Sequence, residues 1–137
     1  MKKVFRNPPT SPTPKSYSHS VSVEGGRAIY LAGQVAFDGN RQIVGGDDVG
    51  AQTRQTMRNV KAAVEANGGA LSDIVQLTTH VVNYDFDQLD PITETIEGFF
   101  SPDSLPTNTM VGVTALSTDG LLIEITGVAV TDSLTPD

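Results

Sequence analysis

From Ser20 to Glu24 the chain alternates, with Val21 and Val23 apolar and Ser20, Ser22 and Glu24 polar. A period of two marks a strand with one buried face. Gly25-Gly26 follows, a pair suited to a two-residue turn, and apolar character returns from Ala28 to Leu31. This pattern predicts a β-hairpin. Ala32-Gly33-Gln34 then interrupts the second strand, and a glycine there signals a bulge or the close approach of another group to the backbone.

The stretch "FDGNRQIVGGDDVG" is punctuated by Asp-Gly-Asn and Gly-Gly and reads as a loop. Asp47 or Asp48 can cap a helix there and complement its dipole. Met57, Val60 and Val64 recur at helical spacing, and Asn67-Gly68-Gly69 supplies the stop. A strand is expected over 74–84. Val75, Leu77, Thr79 and Val81 fall on one side of it, and Gln76, Thr78 and His80 on the other. A second helix begins between Asp87 and Pro91, with Leu89, Ile92, Ile96, Phe99 and Phe100 as its apolar stripe. Two strands close the chain, about 108–116 and 121–130, joined by a Ser-Thr-Asp-Gly turn.

The predicted order is ββαβαββ, an α+β domain. Right-handed crossovers place both helices on one face of a single mixed sheet. The other face is left uncovered, yet Ile74, Val82, Val111, Val113, Ile123 and Ile125 supply apolar residues to both sides. An apolar sheet face in water favours oligomerisation through the sheets. Residues 1–15 are rich in Pro, Ser and Thr without periodicity, and are expected to form a flexible arm. The domain is then 16–132, with 133–137 as a C-terminal tail.

Composition narrows the chemistry. No run of the 137 residues is apolar enough to cross a bilayer, and the start has two lysines but no apolar core of a secretory signal. No membrane partner is expected, and a cytoplasmic location is the default. The absence of cysteine excludes disulfides, thiolate metal sites and a cysteine nucleophile. Net charge is −7, and all nine Lys and Arg lie at or before Lys61. From Ala62 onward twelve Asp and Glu face no basic side chain. Nucleic acid needs clustered cations, so it is an unlikely partner.

His19 and His80, the two histidines, are far apart and have no partner at metal-ligand spacing. His80 reads as a hydrogen-bonded sheet residue. His19 lies close to Tyr17 at the start of the predicted hairpin, and a solvated strand residue is the simpler reading of it. Phosphate-loop and nucleophile-elbow motifs are missing. Glu124 stands out in "LLIEITGVAV", a carboxylate among residues that look buried. A carboxylate buried without a partner costs several kcal/mol or more. It therefore lies at an interface, is hydrogen-bonded, acts as an acid or base, or sits on the wet face of an edge strand.

Taken in order, "YSHSV", "LAGQVAFD", "AQTRQTMRNVKAAVEANGG", "SDIVQLTTHVV", "IEGFF", "LPTNT" and "LLIEITGVAV" resemble the RidA/YjgF (L-PSP endoribonuclease-like) family, from about Tyr17 to Val130. The resemblance implies a chorismate-mutase-like α+β fold and a homotrimer with a small-molecule cleft at each subunit interface. Active members hydrolyse imines or enamines, notably 2-aminoacrylate, to a keto acid and ammonia. They use no metal and no cofactor. A ribonuclease or translation-inhibitor activity is also ascribed to the family.

Carried over by position, the resemblance places the cleft tyrosine on Tyr17 and the strand-end Ser-Gly on Ala32-Gly33, so the serine hydroxyl is missing. The glutamate that holds the attacking water falls on Glu124, and a helix asparagine on Thr93. The arginine that grips a substrate carboxylate falls on Asn108, in Pro106-Thr107-Asn108-Thr109, and Met110 is counted with the substrate-binding set. Asparagine carries no charge, whereas a guanidinium forms two charge-assisted bonds to a carboxylate. Arg27 lies at the far end of its strand, and Arg54, Arg58 and Lys61 lie on the first helix. The expectation is a trimer that binds a small neutral molecule and hydrolyses a C=N bond in it, with doubtful activity on 2-aminoacrylate. The alternatives are a trimer that binds ligand or protein without catalysis and, less favoured by the charge, a ribonuclease.

Overall fold

The computed structural model describes residues 1–133. Strands β1 (Lys2–Arg6) and β2 (Ser20–Glu24) form a two-stranded antiparallel sheet. A four-stranded mixed sheet has the order β3-β6-β4-β5, where β3 is Arg27–Gln34, β4 Ile74–Val82, β5 Thr107–Val113 and β6 Ile123–Thr131. Helix α1 (Val49–Glu65) connects β3 to β4, and α2 (Leu89–Glu97) connects β4 to β5. β4 and β5 run parallel, and both β3 and β4 pair antiparallel with β6. Among the described residues no helix is long and apolar enough to cross a membrane.

The helices form where local chemistry favours them. The Asp48 carboxylate accepts from the Ala51 N–H at 3.0 Å, capping α1. At the other end Gly68 takes a φ of 76°, a left-handed conformation that stops the helix. Met57, Val60 and Val64 are buried in one cluster with Ile29, Leu77, Ile92, Ile96, Ile123 and Ile125. Each such side chain contributes about 1.5–3 kcal/mol on leaving water. Gln52, also fully buried, was absent from the apolar pattern. Its amide donates to the carbonyls of Gly46 and Gly120 at 2.8 and 2.9 Å, and its oxygen accepts from the Leu122 N–H at 2.9 Å. It ties the start of α1 to the approach to β6.

Three sequence expectations change. The hairpin of β2 with β3 is not formed, because β2 pairs with β1 from Lys2↔Glu24 to Arg6↔Ser20, and β3 pairs with β6. Gly25 and Gly26 do turn the chain, with φ values of 74° and 86°, but the strands they join belong to different sheets. Residues 1–15 are not wholly irregular, since Lys2–Arg6 is a strand. Lys3 Nζ lies 3.2 Å from an Asp73 carboxylate oxygen, which anchors that strand to the start of β4. Last, the phase of β4 shifts. Ile74 is buried and Val75 only half-buried, because the register slips between Ile74 and Gln76, as at a bulge. Of the expected tail 133–137, residues 134–137 lie outside the described residues.

Both helices pack on one face of the four-stranded sheet. The opposite face carries Tyr30, which is 80% exposed, with Val111, Thr126 and Val128 on neighbouring strands. The uncovered face expected from two helices on one side of the sheet is present.

Candidate functional site

Glu124 is half-buried on β6, and β6 is a central strand flanked by β3 and β4. The wet face of an edge strand is therefore excluded for it. Its neighbours Ile123 and Ile125 point into the helix-covered core, so Glu124 projects from the uncovered face. His80 is its partner across the sheet. The His80 Nδ1 atom is buried without a hydrogen-bond partner.

Gly33 belongs to this carboxylate. The register of β3 against β6 shifts between Leu31 and Gln34, the irregularity the glycine signalled. A Cβ at residue 33 would lie 2.6 Å from Glu124 Cδ and 2.7 Å from Oε1. Only a residue without a side chain lets the carboxylate rest there. Gly33 and Glu124 line a cavity of about 270 Å³ together with Arg41, Phe37, Asn59 and Ser117.

The sequence alone gives Arg41 no role, because "FDGNRQIVGGDDVG" reads there as a loop. The loop is tightly organised. The Asp38 carboxylate accepts from the N–H groups of Asn40 and Gln42 at 2.8 and 2.9 Å. Arg41 has a φ of 62°, uncommon for a residue with a side chain. Asn59 of α1 donates to the carbonyls of Val35 and Phe37 at 2.7 and 2.8 Å, fixing the base of the loop.

Tyr17, Thr93, Asn108 and Met110 come together elsewhere. They line a second cavity, about 360 Å³, with Leu89 and Ser16. Tyr17 is brought there because the buried Ser18 donates its N–H to the Pro106 carbonyl at 3.1 Å, docking the segment on the approach to β5. Asn108 Oδ1 accepts from the Thr79 hydroxyl at 3.0 Å. Its NH2 is left as an uncharged donor for the cavity. Thr93 donates its hydroxyl to the Leu89 carbonyl at 2.9 Å and retains acceptor capacity. Asn108 pairs with Leu77 and Met110 with Thr79, both partners buried on the helix side. These residues therefore belong to the face opposite Glu124.

The two remaining candidates join neither cavity. Ala32 is exposed at the β3 irregularity. His19 Nε2 pairs with the Pro12 carbonyl at 2.9 Å, which places the proton on that nitrogen, and its ring meets Tyr17 edge-on at 5.4 Å. It braces the N-terminal segment behind Tyr17. Among the described residues no three His, Asp or Glu side chains converge at metal-ligand spacing.

A mixed sheet with both helices on one face and the other face bare fits the chorismate-mutase-like α+β class. Residues 9–131 match the family model described as Endoribonuclease L-PSP. The chain belongs to this family, which is that of RidA and YjgF. It is 31% identical over 111 residues to a RutC family protein of Pyrococcus horikoshii, covering 81% of this chain and 85% of that one. It is 36% identical over 110 residues to the 2-iminobutanoate/2-iminopropanoate deaminase of Salmonella typhimurium, covering 79% and 83% of the two chains. The crystal structure of YyfB, a Rid-family protein of unknown function from Yersinia pestis, superposes with a TM-score of 0.90 at 36% identity. That match covers 96% of this chain and all of the other.

Proposed function

We propose that this protein hydrolyses a small imine or enamine to a carbonyl compound and ammonia, in a cleft completed between subunits of a homotrimer. The observation that carries the proposal is the Glu124 carboxylate, which projects from the uncovered sheet face and is seated on Gly33 in a cavity at the end of β3. Asn108 and Met110, in the other cavity, project from the opposite face. Two half-sites on opposite faces of one chain can form a single cleft only if different subunits contribute them. The exposed Tyr30 and Val111 favour burial of the uncovered face in such an assembly. A relative named as an imine deaminase supports the reaction type.

The chemistry follows from the groups present. A water held by Glu124 attacks the iminium carbon, and the carboxylate takes the proton the water gives up. The C–O bond forms as the C=N π pair moves to nitrogen, giving a carbinolamine. The proton then passes to the amine nitrogen, the C–N bond breaks as ammonia leaves, and the Glu124 carboxylate takes the hydroxyl proton as the carbonyl forms. Tyr17 and the Asn108 amide orient the part of the substrate in the second cavity. Asn108 brings no charge, so the group seated there is uncharged.

The family description names an endoribonuclease, but the cations needed for RNA are confined to the first 61 residues here. The test is ammonia release over a panel of small imines. Glu124→Gln is expected to retain fold and assembly and to lower the rate on the order of a hundredfold or more. A protein that binds these ligands with no rate above the spontaneous one would instead be a non-catalytic binder.

A further inference from the structure

We propose that Arg41 is the anion-binding residue of this site, and that the substrate presents a carboxylate to the loop between β3 and α1. The proposal rests on the imine-hydrolase reading and deepens it by naming the charge and orientation of the substrate. The Asn108 cavity offers no cation, but the Glu124 cavity does.

Several observations converge on Arg41. It lines the same 270 Å³ cavity as Glu124 and Gly33. Among the described residues the ion pairs are those of the N-terminus with Asp132, Lys3 with Asp73 and Lys61 with Glu65, and none engages Arg41. Its guanidinium lies over the Phe37 ring, 5.4 Å from the centroid. A guanidinium held over a ring by its charge spends no N–H donor there, and those donors can fork a carboxylate. The backbone beneath is pinned, with Arg41 N–H bonded to the Asp38 carbonyl at 3.1 Å and Asp38 N–H to the Gln42 carbonyl at 2.9 Å. Phe37 also bridges to Ile43 across the loop.

The charges make chemical sense together. An anionic substrate beside Glu124 would meet a like charge, and a cation in the same cavity offsets that repulsion. In a 2-imino acid the carboxylate carbon is bonded directly to the imine carbon. A carboxylate on Arg41 thus places the electrophilic carbon one bond away, within the cavity that holds Glu124. Arg41 binds and orients; the water on Glu124 reacts.

The test uses the full chain and two probes. Pyruvate is the keto acid left when 2-iminopropanoate is hydrolysed, and pyruvamide is its uncharged counterpart. In calorimetric titrations the wild type is expected to bind pyruvate more tightly than pyruvamide. Arg41→Ala should weaken pyruvate about tenfold or more, the loss of a bidentate charge-assisted contact, and leave pyruvamide within about twofold. Arg41→Lys should recover part of the loss. Unchanged pyruvate affinity in Arg41→Ala overturns the proposal. So does wild-type protein that binds the two probes equally or not at all, or a shift in sedimentation of Arg41→Ala, which would make Arg41 a subunit-contact residue. Ammonia release from 2-iminopropanoate separates the two claims. Arg41-dependent pyruvate binding without turnover sinks the hydrolase reading and keeps the anion site. Turnover indifferent to Arg41 does the reverse.

Discussion

Replacing Gly33 by alanine is a small change aimed at one contact. The new Cβ would sit 2.6 Å from Glu124 Cδ, 2.7 Å from Oε1 and 2.8 Å from Cγ. Carbon atoms rest at about 3.5–4.0 Å, so the carboxyl group must retreat by roughly 1 Å. Gly33 is not in the left-handed region, so the substitution acts by crowding and not by backbone strain. Glu124 is half-buried and can swing aside, and overpacking of this kind costs about 1–3 kcal/mol. The folded protein should survive with a modestly lower melting temperature. A reacting group displaced by 1 Å loses on the order of a hundredfold in rate. Ammonia release from the best imine of the panel, with a thermal melt beside it, checks both halves. In a Glu124→Gln background the alanine should cost nothing further in rate, because the group it displaces no longer works. Gly33→Ala with full activity and a normal melt would refute the idea that the glycine exists to seat the carboxylate.

Gln52→Ala removes a buried amide that satisfies three backbone groups. It should cost about 1–3 kcal/mol, read as a lower urea midpoint at unchanged slope, since the Leu122 N–H is orphaned while the carbonyls of the exposed Gly46 and Gly120 can turn to water. Asn108→Arg takes away the acceptor of the fully buried Thr79 hydroxyl and should destabilise by about 1 kcal/mol in the same assay. The new guanidinium should also add about tenfold to carboxylate affinity in a pyruvate titration. Sedimentation should give the mass of three chains at micromolar concentration, and a stable monomer there would remove the cleft.

Local chemistry made much of this legible from the residues alone. Asp48 and Gly68 mark the ends of α1 because capping and left-handed backbone are properties of single residues. Gly33 announced a close approach, though not that Glu124 was the neighbour. Pairing partners were less readable. Gly25-Gly26 supports a hairpin, but whether β2 takes β3 or β1 depends on competition across the chain, and Lys3–Asp73 helps decide it from 70 residues away. The phase error at Val75 has the same origin, since one slipped residue in the ladder changes which side chains are buried. The split of the site follows from register, with Asn108 opposite Leu77 and Glu124 opposite His80. Arg41 escaped notice because nothing local distinguishes it. Its proposed role depends on the β3–β6 register that brings its loop to Glu124.

The central claim, that a water-holding carboxylate from one subunit works with a substrate cavity from another, is tested most directly by mixing subunits. Glu124→Gln disables one half-site, and Thr93→Trp blocks the other from the surface of α2. Each variant alone should be nearly inactive. Unfolded together in equal amounts and refolded, they should recover about a quarter of wild-type ammonia release. Three-quarters of randomly assembled trimers are mixed, and each mixed ring has one intact site in three. Activity no greater than the mean of the two separate variants, in trimers shown to be mixed, would contradict a shared site.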